Sequence, residues 1–326
     1  MRDDLVTVAE AVARLQRGEL VAIPTETVYG LAADASQGAA VAEVFARKER
    51  PEFNPLIVHF AQSDAAAAQV IWTPLAERLA AAFWPGPLTL VLERKPGSSV
   101  HALASAGLPS LALRVPAHPL TQALLSHFPQ GLVAPSANPS GRLSPTHPEH
   151  VWAGLGKQLP LLDGGACRLG LESSILDARG SQPILLREGA LSRETLSAAL
   201  DIQIHAPIKP EENAETLETA ETLETAEPRV QSPGQLLRHY APRHPLRLDA
   251  QSVRPGEALL AFGVPLASTG SVEQLSERED LNEAAANLFA ALHRLDALQL
   301  SGIAVMPIPQ VGIGRAIYDR LKRGAA

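Results

Sequence analysis

The sequence is short of several features, and each shortage argues against a class of protein. Only one cysteine, Cys167, occurs in 326 residues, which excludes an internal disulfide framework and a cysteine-built zinc site. No apolar run approaches the roughly 20 residues that a membrane helix needs. Lys and Arg number 28 against 35 Asp and Glu, and aromatic residues make up 4%, so a general nucleic-acid-binding surface is disfavoured. We therefore expect a globular, cytoplasmic protein that does not enter the membrane.

Familiar nucleotide and hydrolase motifs are also missing. The chain has no GxxxxGK[ST] phosphate loop and no GxSxG nucleophile elbow. Gly312-x-Gly314 resembles the start of a dinucleotide fingerprint, but no acidic ribose partner follows it, so we interpret it as a turn that leads into a helix. His147-x-x-His150 has the spacing of a metal-binding pair. Because we find no third ligand nearby, we interpret it as two surface histidines.

An acidic, repetitive segment divides the chain. Residues 209–229 hold seven Glu against one Lys and one Arg, and residues 215–226 repeat ETLETA twice between flanking prolines. This composition predicts a solvated, partly disordered linker, and an acidic docking segment is the alternative. The predicted parts are a domain at 1–204, a linker with an interdomain motif at 205–243, and a small domain at 244–326.

Short apolar runs alternate with helical patterns, which predicts an α/β fold with a mixed sheet. The predicted strands of the first domain are Leu20–Ile23, Leu56–Phe60, Leu88–Glu93, Leu111–Val115, Leu132–Ala134, Leu161–Asp163, Ser174–Asp177 and Ile184–Arg187. Its predicted helices are Val8–Arg17, Ala39–Arg47, Pro74–Phe83, Leu120–Phe128, Glu149–Leu155 and Arg193–Leu200. In the second domain the patterns predict a small open α/β sheet, with strands at Ala258–Phe262 and Ile303–Pro307, a capping pair at Ser271 and Gln274, and a helix near Leu281–Leu298.

Polar clusters follow several of these strands, at positions where open α/β sheets bind ligands. Four cations in the clusters suit phosphate and carboxylate groups, namely Lys48, Arg50, Arg114 and Arg187. Taken one at a time, the clusters are more simply turns and helix-end charges. Five such clusters in one domain favour a site for a polyanion.

At these clusters the sequence closely resembles the threonylcarbamoyl-AMP synthase family in its two-domain form. The matching runs are IPTETVYGL (23–31), KERPEFNPLIVH (48–59), WPGPLTLVL (84–92), LRVPAHP (113–119), APSANPSGRLSPT (134–146), LESSILD (171–177), LLREG (185–189) and SPGQLLRHYAP (232–242). The last run, residues 232–242, resembles the interdomain motif of that family. Together the resemblance extends over about residues 5–325.

The resemblance implies a YrdC-like twisted mixed-sheet domain with a positive cavity, followed by a small Rossmann-like domain. It implies a nucleotidyltransferase that condenses L-threonine, bicarbonate and ATP to threonylcarbamoyl-AMP and pyrophosphate, with Mg²⁺ accompanying the ATP. The product would serve modification of the adenosine next to the anticodon in ANN-reading tRNAs. Separate transferase proteins would act on the tRNA, and weak direct tRNA binding by this chain stays open.

Carried over to this sequence, the contacts of the family fall into two groups. Those to ATP fall on Lys48, Arg50, Asn54, Ser110, Ser136, Asn138, Ser144, Arg187 and Tyr240. Those to L-threonine fall on Thr27, His59, Arg114, Ser173 and the backbone at Ala134. Lys48 and Arg50 would be the catalytic cations, because they would stabilise charge on the leaving pyrophosphate together with Mg²⁺.

Three other functions stay open from the sequence. An RNA-binding module could use a positive concave surface, although the acidic composition weakens this alternative. A carbamoyltransferase of the hydrogenase-maturation type contains a related domain, but it also carries cysteine zinc motifs that this sequence lacks. A structural or regulatory ATP binder would use the same cations without turnover.

Overall fold

The computed structural model describes residues 4–204 and 239–326. The ETLETA repeat at 215–226, and all of the predicted linker at 205–243 except its last five residues, lie outside the described residues. Within the described ranges, no helix is both long and apolar enough to cross a membrane.

One large mixed sheet organises the N-terminal part. Its strands in chain order are β1 (Val21–Ile23), β2 (Gly30–Asp34), β3 (Ile57–His59), β4 (Leu88–Glu93), β5 (Ser110–Arg114), β6 (Leu132–Val133), β7 (Ser174–Asp177) and β8 (Ile184–Arg187). Their order across the sheet is β1-β2-β6-β3-β5-β4-β7-β8. The pairs β3–β5 and β4–β7 are parallel and the other pairs are antiparallel. The predicted mixed α/β sheet is therefore confirmed.

Helices cover one face of this sheet and only part of the other. They are α1 (Val8–Gln16), α2 (Gly38–Lys48), α3 (Ser63–Ala67), α4 (Pro74–Phe83), α5 (Pro119–Leu125), α6 (Pro148–Leu155) and α7 (Arg193–Leu200), with a 3₁₀ turn at Ala102–Ser105. The main core joins α2, α4, α6 and α7 to the sheet. Helices α1 and α5 pack separately with β1, which is one edge strand of the sheet. Among the described residues, the second face over β3, β4, β5 and β7 carries a small apolar cluster, Ile57, Val91, Ala112 and Ile175.

Strand alternation decides which side chains reach that second face. Successive residues of a strand point to opposite faces, so Leu111 and Leu113 of β5 enter the main core while Ser110, Ala112 and Arg114 share the other face. All five are buried, because the second face is covered by loops rather than left to solvent. The fold thereby places polar side chains on a buried sheet surface.

The C-terminal part is a second, smaller sheet with parallel pairing. Its strands are β9 (Leu246–Arg247), β10 (Glu257–Ala261), β11 (Val272–Gln274) and β12 (Gly302–Val305), in the order β11-β10-β12-β9. Helices α8 (Leu281–Asp296) and α9 (Gly314–Gly324) pack on it. The small open α/β sheet is confirmed, and Gly312-x-Gly314 does lead into a helix, α9.

Several sequence-based assignments differ from the structure, four of them in ways that the local sequence helps to explain. The predicted strand Leu161–Asp163 is absent, because Leu161 makes only isolated bridges to Leu5 and Ala22. Strand β2 was missed, since its sequence GLAAD is small and lacks β-branched residues. Helix α3 was also missed. The proposed cap at Ser271 and Gln274 is wrong, because Val272–Gln274 is a strand paired with β10.

The two parts share one hydrophobic cluster. Val28, Leu143 and Leu171, from loops of the first part, are buried together with the core of the second part. Tyr240, just before β9, belongs to the same cluster. The loops that carry the predicted site therefore pack directly against the C-terminal sheet and helices.

Candidate active site

A narrow cavity lies on the second face of the large sheet. It is lined by Thr25, Thr27, Val28, Gly30, Arg50, Ile57, His59, Arg114, Ala134, Pro135, Ser136, Glu172, Ser173, Arg187, His239 and Tyr240. Nine of these are among the fourteen residues that the resemblance assigns: Thr27, Arg50, His59, Arg114, Ala134, Ser136, Ser173, Arg187 and Tyr240. Residues from distant parts of the sequence thus converge in one place.

Arg114 forms the most heavily bonded corner of the cavity. Its guanidinium donates to Gly86 O at 3.1 Å, to Thr27 Oγ1 at 3.0 Å and to Glu26 Oε1 at 2.6 Å. The Arg114–Glu26 pair is buried, with 4% and 5% of the two side chains exposed. Since Arg carries five N–H donors, two remain for a carboxylate ligand.

His59 lies beside Arg114, because β3 and β5 pair in parallel with these two residues opposite each other. Burial, reinforced by the charge of Arg114, lowers the pKa of His59 to about 3. His59 is therefore neutral at physiological pH and acts as a hydrogen-bonding group rather than as a base. Ala134 lies across from Ile57 and lines the same space.

Ser173 connects this corner to Arg187. The Ser173 and Thr89 hydroxyls are 2.7 Å apart, and Arg187 donates to Ser173 O at 2.8 Å and to Ser173 Oγ at 3.1 Å. Burial lowers the pKa of Arg187. A buried cation therefore lies in the cavity wall beside a hydroxyl group.

Arg50 is the third buried arginine of the wall. It donates to the backbone carbonyls of Asn54 at 3.1 Å and Pro55 at 2.8 Å, which fix its planar group. Burial and the neighbouring charge of Arg187 lower the pKa of Arg50 to about 10, so it remains a cation at neutral pH. Three arginines around a small space indicate a ligand with several negative charges.

Lys48 lies behind the wall rather than in it. Its Nζ donates to Ser136 O and Asn138 O, both at 2.5 Å. Burial and then the charge of Arg50 lower its pKa well below the usual range. In this structure Lys48 fastens the loop after β6, and the carried-over phosphate contact stays a prediction.

Four other assigned residues also lie outside the cavity lining. Asn54 is completely buried beside Arg50, and Asn138 turns its amide nitrogen to Pro139 O and Arg142 O. Ser144 donates to Glu172 Oε1 at 2.5 Å. Ser110 is at the far end of β5 from Arg114, about 13 Å along the strand on the same face. For Ser110, only a ligand long enough to follow the sheet could contact both ends.

Tyr240 closes the cavity and carries an unusual backbone. Its φ is 63°, in the left-handed region, and its ring is almost completely buried between His239 and Phe289. Ala241 N donates to Gly141 O at 2.8 Å, which ties the segment to the loop after β6. The free volume inside the cavity is about 50 Å³, far below the few hundred Å³ of typical ligand pockets. We call this narrow state, with the buried Tyr240 ring in the cavity wall, the closed position.

Several buried polar atoms at this place have no partner among the described residues. They are Glu26 Oε2, both amide atoms of Asn54, His59 Nδ1, Asn138 Oδ1, His239 Nδ1 and the Tyr240 hydroxyl. Buried polar groups without partners cost free energy, so their concentration around one cavity indicates that a ligand supplies the missing contacts. Glu26, Glu172 and His239 have no role in the sequence-based assignment, although all three stand in the matching runs.

The predicted histidine pair lies elsewhere, at the start of α6. Glu149 brings a third ligand atom within 4.8 Å of those of His147 and His150, which corrects the expectation that no third ligand lies nearby. His150 stacks on His293 of α8 with ring centres 3.8 Å apart. Both histidines are half-buried at the contact between the two parts of the chain, rather than on an open surface.

Fold and cavity together define a two-part α/β protein whose large sheet carries a cavity lined by three arginines. Residues 13–189 match the Sua5, YciO and YrdC family model, which is described as "Telomere recombination". Residues 191–326 match "Threonylcarbamoyl-AMP synthase, C-terminal domain". The chain belongs to the threonylcarbamoyl-AMP synthase family in its two-domain form.

Relatives cover nearly the whole chain. The chain is 35% identical to the threonylcarbamoyl-AMP synthase of Bacillus subtilis, over 98% of this chain and 92% of the relative. Identity is 31% to that of Schizosaccharomyces pombe, over 94% and 85%. The solved structure of Pyrococcus abyssi Sua5 in complex with L-threonine superposes with a TM-score of 0.83 at 32% identity, covering 98% of this chain and 94% of that one.

Proposed function

We propose that this chain synthesises threonylcarbamoyl-AMP from L-threonine, bicarbonate and ATP with release of pyrophosphate. The observation that carries the proposal is the convergence of Arg50, Arg114 and Arg187 on one cavity whose walls contain unpartnered polar atoms. The full-length relationship to synthases supplies the reaction. A protein that only binds ATP would not need Arg114 as a second anion-binding group in addition to Arg50 and Arg187.

L-threonine fits the corner formed by Arg114, His59, Thr27 and Ser173. The two remaining N–H donors of Arg114 would bind the carboxylate, although Glu26 already neutralises part of its charge. The threonine side chain would meet the hydroxyl groups and the neutral His59 ring. The P. abyssi relative was solved with L-threonine, which is consistent with a threonine site in this family.

ATP would lie along the second face of the large sheet. Arg50 and Arg187 would meet the phosphates, and the apolar Ile57 and Ala112 surface leads from them toward Ser110, where the base would rest. This direction explains how Ser110 can belong to the site although it lies at the other end of β5. A nucleotide is long enough to extend along the sheet from Arg50 and Arg187 to Ser110.

The residues after β6 fit a magnesium ion bound with the nucleotide. Asn138 Oδ1 is buried without a partner among the described residues, and Ser136 lines the cavity, so hard oxygen donors are present. When bound, Mg²⁺ would neutralise phosphate charge and favour departure of pyrophosphate. Lys48 holds the backbone of both donor residues in place.

The reaction then needs no side-chain nucleophile. The threonine amine, after losing a proton, adds to bicarbonate with loss of water, or to CO₂ derived from it with release of a further proton to solvent, and gives a carbamate. A carbamate oxygen attacks the α-phosphorus of ATP and the bond to pyrophosphate breaks. Arg50 and Arg187 would stabilise the charge that develops on the leaving group.

The Tyr240 segment would exclude water from the carbamate. Because the closed cavity is too small for ATP, the segment has to move outward for the nucleotide to enter and inward again to cover it. Its unpartnered hydroxyl would then find a hydrogen bond with the ligand. The acyl product is unstable, so a transferase acting on tRNA has to consume it, and we propose a cytoplasmic location beside that enzyme.

Pyrophosphate release tests the proposal directly. The full chain is incubated with ATP and Mg²⁺, with threonine and bicarbonate each omitted in turn, and the nucleotide product is identified by mass spectrometry. We expect pyrophosphate only when both are present. Release without threonine, or binding of ATP without turnover, would favour the regulatory ATP binder, and salt-dependent tRNA binding without turnover would favour the RNA-binding module.

A matched pair of variants tests the cavity assignment. Arg47 and Arg50 flank Lys48, but Arg47 donates to Leu155 O away from the cavity. Arg50→Met should lower kcat/KM for ATP at least tenfold, because it removes charge-assisted contacts, whereas Arg47→Met should stay within twofold of the unmodified chain. Equal losses in the two variants would contradict the role of Arg50.

A further inference from the structure

One fully buried arginine of the C-terminal part reaches three segments around the cavity. Arg320 lies on α9 with 1% of its surface exposed. Its Nε donates to Glu172 Oε2 at 3.0 Å, and a terminal nitrogen donates to the backbone carbonyl of Glu188 at 2.8 Å. Its guanidinium lies 5.0 Å from the centre of the Tyr240 ring. Its remaining ion pair is local, to Asp319 at 2.8 Å.

The contact with Arg320 gives the buried carboxylate of Glu172 a counter-charge outside the cavity. Glu172 is a buried carboxylate in the wall of a cavity that has to accept anions. Ser144 and Arg320 hold its two oxygens, one each. If Arg320 were absent, the buried carboxylate would pair instead with Arg187, a cation of the same cavity wall. A nucleotide would then compete with Glu172 for a phosphate-binding arginine.

The same helix forms the surface on which Tyr240 rests. His239 N donates to Arg323 O at 3.2 Å. A Cβ at Gly324 would lie 2.9 Å from the backbone oxygen of Tyr240, so only a glycine lets the helix approach this closely. The left-handed backbone of Tyr240 is therefore supported from α9, while Arg320 lies over its ring.

We propose that Arg320 is a positioning residue for the reaction, holding Glu172 away from the phosphate-binding arginines and holding Tyr240 in its closed position. This inference rests on the proposed function and extends it by giving the C-terminal part a role in ATP use. Arg320 itself does not line the cavity, so it acts through the two residues that do.

The test is a double-mutant cycle with kinetics as the readout. The variants are Arg320→Met, Glu172→Gln and the two combined, and for each the kcat, the KM for ATP and the melting temperature are measured. We expect Arg320→Met to raise the KM for ATP and to lower kcat/KM at least tenfold. Adding Glu172→Gln should recover at least half of that loss on a logarithmic scale, because a neutral amide no longer competes for Arg187.

Arg315→Met is the matched control. Arg315 lies on the same helix and also crosses to the first part of the chain, through ion pairs with Glu194 and Glu188, and neither partner lines the cavity. Its loss should leave the KM for ATP within twofold. A loss equal to that of Arg320→Met, or a double variant no better than Arg320→Met, would reduce Arg320 to a domain-packing role and overturn the proposal.

Arg320→Lys replaces Arg320→Met in the cycle if the latter does not fold. A lysine keeps the buried charge but cannot reach Glu172, Glu188 O and the Tyr240 ring together. We expect a folded protein with a KM for ATP raised at least threefold, and kinetic constants equal to those of the unmodified chain would overturn the proposal. An unmodified chain without synthase activity would instead refute the proposed function, so the two failures are distinguishable.

Discussion

Replacing Arg114 by lysine should weaken threonine binding while leaving ATP binding and the fold largely intact. Arg114 makes three hydrogen bonds to the protein, and the proposed carboxylate contact uses its remaining donors. The Lys ammonium can still pair with Glu26, so this buried carboxylate does not lose its counter-charge. It cannot present a planar pair of donors to a second carboxylate at the same time.

The magnitude follows from the lost contact. A hydrogen bond to a charged group contributes about 1.5–3 kcal/mol, and about 1.4 kcal/mol corresponds to a factor of ten. Loss of one such bond should therefore raise the KM for threonine by roughly 10- to 150-fold. The KM for ATP should change less than threefold, because Arg50 and Arg187 remain.

Steady-state pyrophosphate release at varied threonine, with saturating ATP and bicarbonate, measures this effect. Calorimetric binding of threonine alone provides a check that does not depend on turnover. Glu26→Gln is the control, because it keeps the arginine fork and removes only the paired charge, so its effect on the threonine KM should be the smaller one. A threonine KM within twofold of the unmodified value in Arg114→Lys, or equal increases for threonine and ATP, would refute the assignment of this corner.

Three further predictions follow from the same site. Tyr240→Ala should raise the KM for ATP and increase loss of the carbamate intermediate. Deleting residues 215–226, which lie outside the described residues, should leave activity largely unchanged. If parallel kinetics show that the deletion is damaging and Tyr240→Ala is silent, the Tyr240 segment does not protect the carbamate. Threonine should be preferred over serine by about 1–3 kcal/mol, the value of one methyl group in a fitted pocket, and equal specificity constants would contradict the pocket at Thr27 and His59. The free energy of unfolding should fall as pH drops from 6.5 toward 3, because unfolded His59 and His239 take up protons that the folded residues, with pKa values lowered to about 3 by burial, reject. Each contributes a slope of about 1.4 kcal/mol per pH unit, so urea unfolding of His59→Gln should show a shallower slope than the unmodified chain.

Local signals were sufficient to predict the regular elements with strong patterns. Helix α4 begins at Pro74 as predicted, and in the structure the side-chain oxygen of Thr73 caps it by accepting from Ala76 N. Strands β4, β7 and β8 also match their predicted bounds, because turn residues flank compact apolar runs. Strand β2 has no such signal, and the sheet around it supplies the pairing that its small residues do not specify.

Thirteen of the fourteen assigned site residues could be found from the sequence because each stands in a run whose neighbours are also distinctive, and Ser110 is the exception. Their three-dimensional roles could not be found in the same way. The sequence suggests that Lys48 faces phosphate, but the fold directs its Nζ to two backbone carbonyls of the loop after β6. Alternation along β5 decides that Ser110 and Arg114 share a face, and pairing with β3 decides that His59 lies beside Arg114.

The Arg320–Glu172 contact shows where a single sequence stops being informative. The two residues are 148 positions apart, and on α9 Arg320 is one of several basic residues in GRAIYDRLKRG. Nothing in that pattern separates it from Arg315 or Arg323, which are only partly buried. The difference arises because the loops at Val28, Leu143 and Leu171 share a core with the C-terminal helices, which buries one face of α9 against the cavity wall. A cation on that face has to be paired, and the partner available there is the carboxylate that the cavity must keep away from its nucleotide.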